Sequence, residues 1–135
     1  LNIKKNKLKN IRLFYGDAYD YLKLLKANFL DEVLIIFPDP WPKKRHWKRR
    51  IINNSSVNEI SRSLKLNGKV LFYTDNKSIA FWGLRYFILN ESFTWAINKP
   101  LDCRKRTPSN YITKYESKAL KKNIDPYYFC FIKEQ

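Results

Sequence analysis

Val33-Leu34-Ile35-Ile36-Phe37-Pro38-Asp39-Pro40-Trp41-Pro42 sets five consecutive apolar residues against three prolines that bracket one acid and one indole. A short apolar run without polar alternation has the pattern of a strand covered on both faces, as in a parallel sheet. Pro38 ends it, because proline lacks the N–H that a ladder needs. The prolines also fix their own φ and restrict the residue before each, so the loop is rigid by construction. A preset carboxylate beside a flat ring can hold a planar nucleobase by stacking and place charge near its ring nitrogens. The alternative is a proline-rich turn in which Asp39 is a solvated approach to a helix.

Just beyond the loop, Lys43, Lys44, Arg45, Lys48, Arg49 and Arg50 put six cations into eight positions. Such runs are usually solvated faces, but this one joins a strand-end carboxylate to a helix, which suits a phosphate-binding strip. Asn53 to Leu64 carries Val57, Ile60 and Leu64 at helical spacing, with Asn67-Gly68 as the stop. A strand from Lys69 to Tyr73 follows. Lys77 to Leu89 reads as a helix with Ile79, Trp82, Tyr86 and Leu89 on one side and Gly83 as a weak point. Phe93 to Ile97 and Tyr127 to Ile132 read as strands, and Lys99 to Asn123 as a mobile loop or short helix. On the amino side, Asn10 to Tyr15 alternates like a strand. Gly16-Asp17 turns the chain, and Ala18 to Ala27 places Tyr19, Leu22 and Leu25 on a helix capped by Asp17. The sum is an α/β sheet, mainly parallel with an antiparallel edge. Asp17, Asp39 and Asp75 each follow a predicted strand, at the carboxyl edge where such sheets bind ligands.

Composition narrows the partner. Among 135 residues, 27 basic and 12 acidic side chains leave a formal charge of +15, which makes nucleic acid the leading candidate. The longest mainly apolar stretch, Ile79 to Leu89, falls far short of the roughly 20 residues a bilayer requires, so no membrane is involved. Cys103 and Cys130 are far apart with only His46 as an imidazole, which argues against a metal site and for reduced thiols in a cytoplasmic protein. The length suits one domain over residues 1–135. Methionine is absent and the first residue is Leu1, so the sequence reads as a fragment.

The stretch Phe37 to Ile51, F-P-D-P-W-P-K-K-R-H-W-K-R-R-I, resembles the signature of the bacterial tRNA (guanine-N7-)-methyltransferase family. Supporting matches are Asn10 to Ala18, Tyr73-Thr74-Asp75 and Thr113-Lys114-Tyr115-Glu116. The resemblance implies an S-adenosylmethionine-dependent enzyme that methylates N7 of a guanine in tRNA. It implies Asp39 as the catalytic carboxylate, also against the cofactor, and Asp17 as a second cofactor contact. It further implies substrate contacts from Lys43, Asp75, Thr113, Lys114, Tyr115 and Glu116, and RNA contacts from Arg45, His46, Trp47, Lys48, Arg49 and Arg50.

The implied fold is the class I (Rossmann-like) methyltransferase fold, here with its two amino-terminal strands and glycine-rich loop missing. Only Gly16, Gly68 and Gly83 occur, none close together. Residue 1 would fall just before the fold's third strand, so Asn10 to Tyr15 would be parted from its neighbours and strand edges left bare. Trp47, where the family commonly has a polar residue, and the glycine-poor stretch 118–126 depart from its pattern. The implied partners are tRNA and a separate amino-terminal half. The competing readings are a non-catalytic RNA-binding remnant, one half of a split enzyme, and a small basic ribosome-associated protein. Asp17, and Asp75 with Ser78, could also be simple helix caps, and Thr113 with Glu116 fits a capping box.

Overall fold

The computed structural model describes residues 5–106 and 112–135. The elements are α1 (Ala18–Leu24), β1 (Leu30–Ile36), a 3-10 helix over Lys44–Arg49, α2 (Asn54–Ser63), β2 (Leu64–Thr74) and α3 (Lys77–Ile88). They continue with β3 (Phe93–Trp95), a 3-10 helix over Pro100–Arg104, α4 (Lys114–Lys121) and β4 (Tyr127–Lys133). The sheet has the order β1-β2-β4-β3, with β1 parallel to β2 and both remaining pairings antiparallel. The expected antiparallel edge is present. The mainly parallel character is not, because β1–β2 is the one parallel pair among the described residues.

The register sorts the side chains by face. Val33, Ile35, Val70, Phe72, Phe129 and Phe131 share the face that joins Val57 and Ile60 of α2 and Ile79, Ala80 and Phe87 of α3 in the core. Stacked rings run through it, Phe72 on Phe129 at 5.4 Å and Phe87 on Phe131 at 4.4 Å. The opposite face carries the row Leu34, Leu71 and Cys130, and Leu34 is 58% exposed. The run that reads as a strand covered on both faces therefore sits at the sheet edge with one face bare.

Three expectations need correction, and a fourth resolves to the helical one of its two alternatives. Residues 11–15 form no strand: β1 pairs with β2 alone, and an extended segment without a ladder partner leaves its N–H and C=O groups to water. Phe14 rests on Tyr21 at 4.7 Å, while Leu13 and Tyr15 stay exposed. Next, α2 stops at Ser63 rather than at Asn67-Gly68, because Leu64 already pairs with Leu30; Asn67, at φ +61°, lies where the β1–β2 register shifts. The cap of α3 is Asn76, whose Oδ1 accepts from the Ile79 N–H, and not Asp75. Within 99–123 the described residues hold both the Pro100–Arg104 helix and α4, while 107–111 lie outside them.

Gly83 is a contact point and not a weak one. A Cβ there would stand 2.3 Å from Phe72 Cε1 and 2.9 Å from Cζ. Phe72 is fully buried and held on Phe129, so it has nowhere to swing. Gly83→Ala should gain about 1 kcal/mol of helix propensity and lose about 1–3 kcal/mol to overpacking. Urea denaturation should therefore show net destabilisation.

Candidate active site and cationic strip

The loop after β1 is fastened at several points. The Phe37 N–H donates to the Tyr73 carbonyl at 2.8 Å, extending the β1–β2 ladder by one bond. Arg50 donates from Nε to the Pro40 carbonyl at 3.1 Å and from Nη2 to the Trp41 carbonyl at 3.4 Å. Trp47 Nε1 donates to the Pro42 carbonyl at 3.4 Å. Phe37 and Trp41 adopt φ of +48° and +41°, a region bulky L residues avoid, so the two ends of Pro38-Asp39-Pro40 are strained. Asp39 is exposed between them.

The strip is ordered by the 3-10 helix. Lys43, Lys44, Arg45, Lys48 and Arg49 are exposed, and Arg49 lies over the Trp41 ring at 4.9 Å. His46 meets the same ring edge-on at 5.8 Å and accepts from Arg45 Nε at 3.3 Å. Two members depart from the expected outward display. Trp47 is half-buried, with its ring 5.2 Å from Trp82. Arg50 is buried at 4% exposure, and desolvation holds its pKa below the ordinary arginine value. Both pack inward because Trp82 of α3 offers them an aromatic wall, itself fixed by donation to the Ile52 carbonyl at 2.7 Å.

Asp17 and Asp39 come to adjoining hollows. Asp39 lines a narrow crevice with Arg50, Ile51 and Trp82, and Asp17 lines an open groove of about 530 Å³ that includes Arg50, Ile51, Lys48 and Arg49. Asp17 also caps α1, accepting from the Tyr19 N–H at 2.8 Å, so its reading as a helix cap holds. Asp75 is exposed after β2 and lines neither hollow.

The Thr113–Glu116 element is a helix start that touches the loop. Thr113 accepts from the Glu116 N–H at 3.1 Å, and Glu116 returns the contact to the Thr113 N–H at 3.4 Å, completing the capping box. Tyr115 is exposed and its ring lies 6.3 Å from Phe37 at 22°. Thr113 and Lys114 line a separate groove with Ser117, Lys118 and Lys121. Glu116 is 1% exposed and accepts from Arg106 Nε at 2.6 Å and from the Tyr128 hydroxyl at 2.9 Å. Arg106, Tyr128 and Trp82 escape notice as site-forming residues in the sequence. Their partners lie 10, 12 and 30 residues away, and no local pattern announces such pairings.

Burial first, and then donation to Glu116, holds the Tyr128 phenol above its ordinary 10.0. The unfolded phenol thus ionises near pH 10 while the folded one keeps its proton. This contribution is complete below that pH and is lost as pH rises beyond it. Urea titrations between about pH 9 and 11 should show a shallower loss of stability for Tyr128→Phe than for the unmodified chain.

With this geometry in place, likeness to known proteins becomes informative. A family model described as "Putative methyltransferase" matches residues 1–129. A tRNA (guanine-N(7)-)-methyltransferase from Bartonella quintana is 41% identical over 130 residues, covering 96% of this chain and 56% of that protein. One from Rhodopseudomonas palustris is 38% identical over 117 residues, covering 87% and 46%. The chain spans about half the length of the curated relatives it matches. A solved rRNA methylase from Streptococcus thermophilus, 14% identical, superposes with a TM-score of 0.59 over 99% of this chain and 64% of that one, a likeness of fold. The α/β sheet with its strand-end acid loop and cationic strip accordingly belongs to this methyltransferase family, among relatives of the tRNA (guanine-N(7)-)-methyltransferase kind.

Proposed function

We propose that this chain carries the acceptor-binding part of a tRNA (guanine-N7-)-methyltransferase. The observation that carries the reading is Asp39: an exposed carboxylate at a strand end, on a strained loop pinned by Arg50 and Trp47, beside five outward-facing cations. Lys43, Lys44, Arg45, Lys48 and Arg49 would grip tRNA phosphates. S-adenosylmethionine, when bound, supplies a sulfonium methyl group that the N7 lone pair of guanine accepts without losing a proton. Asp17, whose exposed carboxylate opens on the groove of about 530 Å³, would take such a donor's hydroxyls, and Asp39, exposed at the adjoining crevice, would face its cationic centre. Asp39 then stands where it stabilises the positive charge arriving on the purine, and the rigid loop supplies positioning. Asp75, Lys43 and the Thr113–Glu116 element complete the acceptor side on this reading, with Tyr115 against Phe37 linking that element to the loop.

The remainder of the fold would dock on β1. Its outer edge has no strand partner among the described residues, and Leu34 on β1 and Leu13 and Tyr15 ahead of α1 leave apolar side chains in water. A further segment, in the same or a separate chain, would complete the sheet there and close the donor side. No helix among the described residues is long and apolar enough to cross a membrane. The free thiols Cys103 and Cys130 suit a reducing cytoplasm.

The test is transfer of a tritiated methyl group from S-adenosylmethionine to tRNA, with 7-methylguanosine identified after digestion. The assay is run with this chain alone and with a polypeptide carrying the remaining part of a relative's fold. Formation of 7-methylguanosine in either mixture supports the reading, and its absence from both overturns it. A second reading, RNA binding without catalysis, is favoured by the +15 charge and the exposed strip. It predicts salt-sensitive tRNA binding with no calorimetric heat on adding S-adenosylmethionine to either mixture.

A further inference from the structure

Of the six cations between Lys43 and Arg50, five face solvent and one does not. Arg50 is 4% exposed, yet no carboxylate among the described residues pairs with it; two carbonyls and two indoles receive it instead. Its guanidinium lies 4.8 Å from the Trp47 ring and 4.5 Å from the Trp82 ring, while its Nε and Nη2 hold Pro40 and Trp41. Each of those rings is itself tethered, Trp47 to the Pro42 carbonyl and Trp82 to the Ile52 carbonyl.

A planar fork with several fixed N–H groups can span two successive carbonyls and stack on aromatic faces at once; an ammonium cannot. Backbone strain of the kind found at Phe37 and Trp41 persists only where the surroundings over-determine it. Arg50 grips the carbonyls at one of these two strained ends, that of Trp41.

We infer that Arg50 is a positioning residue for the Asp39 loop and takes no phosphate. Its cationic fork, clamped between Trp47 and Trp82, sets the angle at which Asp39 meets the substrate. The part of this inference that concerns catalysis rests on the proposed methyltransferase reaction; the part that concerns RNA does not.

Arg50→Lys, Arg50→Met and Arg49→Met separate the roles. Arg49→Met should reduce the log–log salt slope of tRNA binding by roughly 0.7–0.9, the loss of one phosphate contact. Arg50→Met should leave the slope unchanged. Methyl transfer should fall about a hundredfold in both Arg50 variants, the scale of a misplaced catalytic group, with KM for tRNA held. Lysine should therefore fail to rescue. If Arg50→Lys keeps both turnover and slope while Arg50→Met loses slope, the inference is wrong and Arg50 is a phosphate contact.

The unmodified chain gives a reading that needs no variant to fold and no catalysis. In 15N NMR the Arg50 Nε–H should be shifted upfield by the two indoles, exchange slowly, and stay in place on addition of tRNA. Movement of that resonance on a par with Arg49 would overturn the inference, whether or not methyl transfer is ever detected.

Discussion

If the proposed reaction holds, Asp39→Ala should lower methyl transfer to tRNA by about a hundredfold or more, while tRNA affinity should stay within about twofold of the unmodified chain; the first figure is what loss of one preorganised electrostatic contact at a reacting centre commonly costs. The two halves of this expectation come from different parts of the loop and strip. Asp39 is one exposed acid among exposed cations, so its removal takes no phosphate contact away and relieves a repulsion from RNA, if anything. On the proposed reaction, its loss instead leaves uncompensated the positive charge that would reach the purine as N7 gains its methyl group. Asp39→Asn should recover little, because the amide keeps the shape without the charge. Single-turnover rates at saturating tRNA, set beside equilibrium binding of the same tRNA, check the split. A matched loss in both would make Asp39 a binding residue and would sink its assignment to the transfer step.

The site was more legible than the sheet, for a physical reason. Loop 37–42 is determined locally: prolines, an apolar run and a cation cluster are all contiguous, so the loop is pinned as its prolines suggest and five of the six cations lie exposed. Sheet order depends on partners distant in sequence. Asn10 to Tyr15 has strand-like alternation, but alternation describes which face a residue would show and supplies no hydrogen-bond partner, so the segment stays without a ladder. The run Val33 to Phe37 reads as doubly covered, and in this chain its outer edge and Leu34 are bare. Composition there suits a strand with neighbours on both faces, and the described residues cover one of them. Arg50 shows the opposite limit. Charge periodicity cannot distinguish the sixth cation of a run from its neighbours, and only the approach of Trp82 from α3 turns it inward. Gly83 shows the same limit, since helix propensity carries no information about Phe72 against its Cα.

Glu116→Ala should destabilise the chain by roughly 3 kcal/mol, the low end of the range for breaking a buried ion pair, because Arg106 retains some access to water. Three groups lose an acceptor together: the Arg106 guanidinium, the buried Tyr128 hydroxyl and the Thr113 N–H at the head of α4. Glu116→Gln keeps an acceptor oxygen and the shape but gives up the charge, so it should cost less, about 1–2 kcal/mol. Urea denaturation checks both values. If Glu116 served only to touch substrate, both variants would unfold with the unmodified chain and differ from it solely in tRNA binding. The geometry argues for a longer chain of cause. Glu116 secures the first turn of α4 against β4, Tyr128 meets Tyr73 edge-on at 5.1 Å, and Tyr115 on that same turn lies against Phe37 at the root of the Asp39 loop. Loss of the carboxylate should therefore loosen Tyr115 from Phe37 as well as α4 from the sheet. Any fall in methyl transfer should accordingly exceed what the unfolded fraction explains.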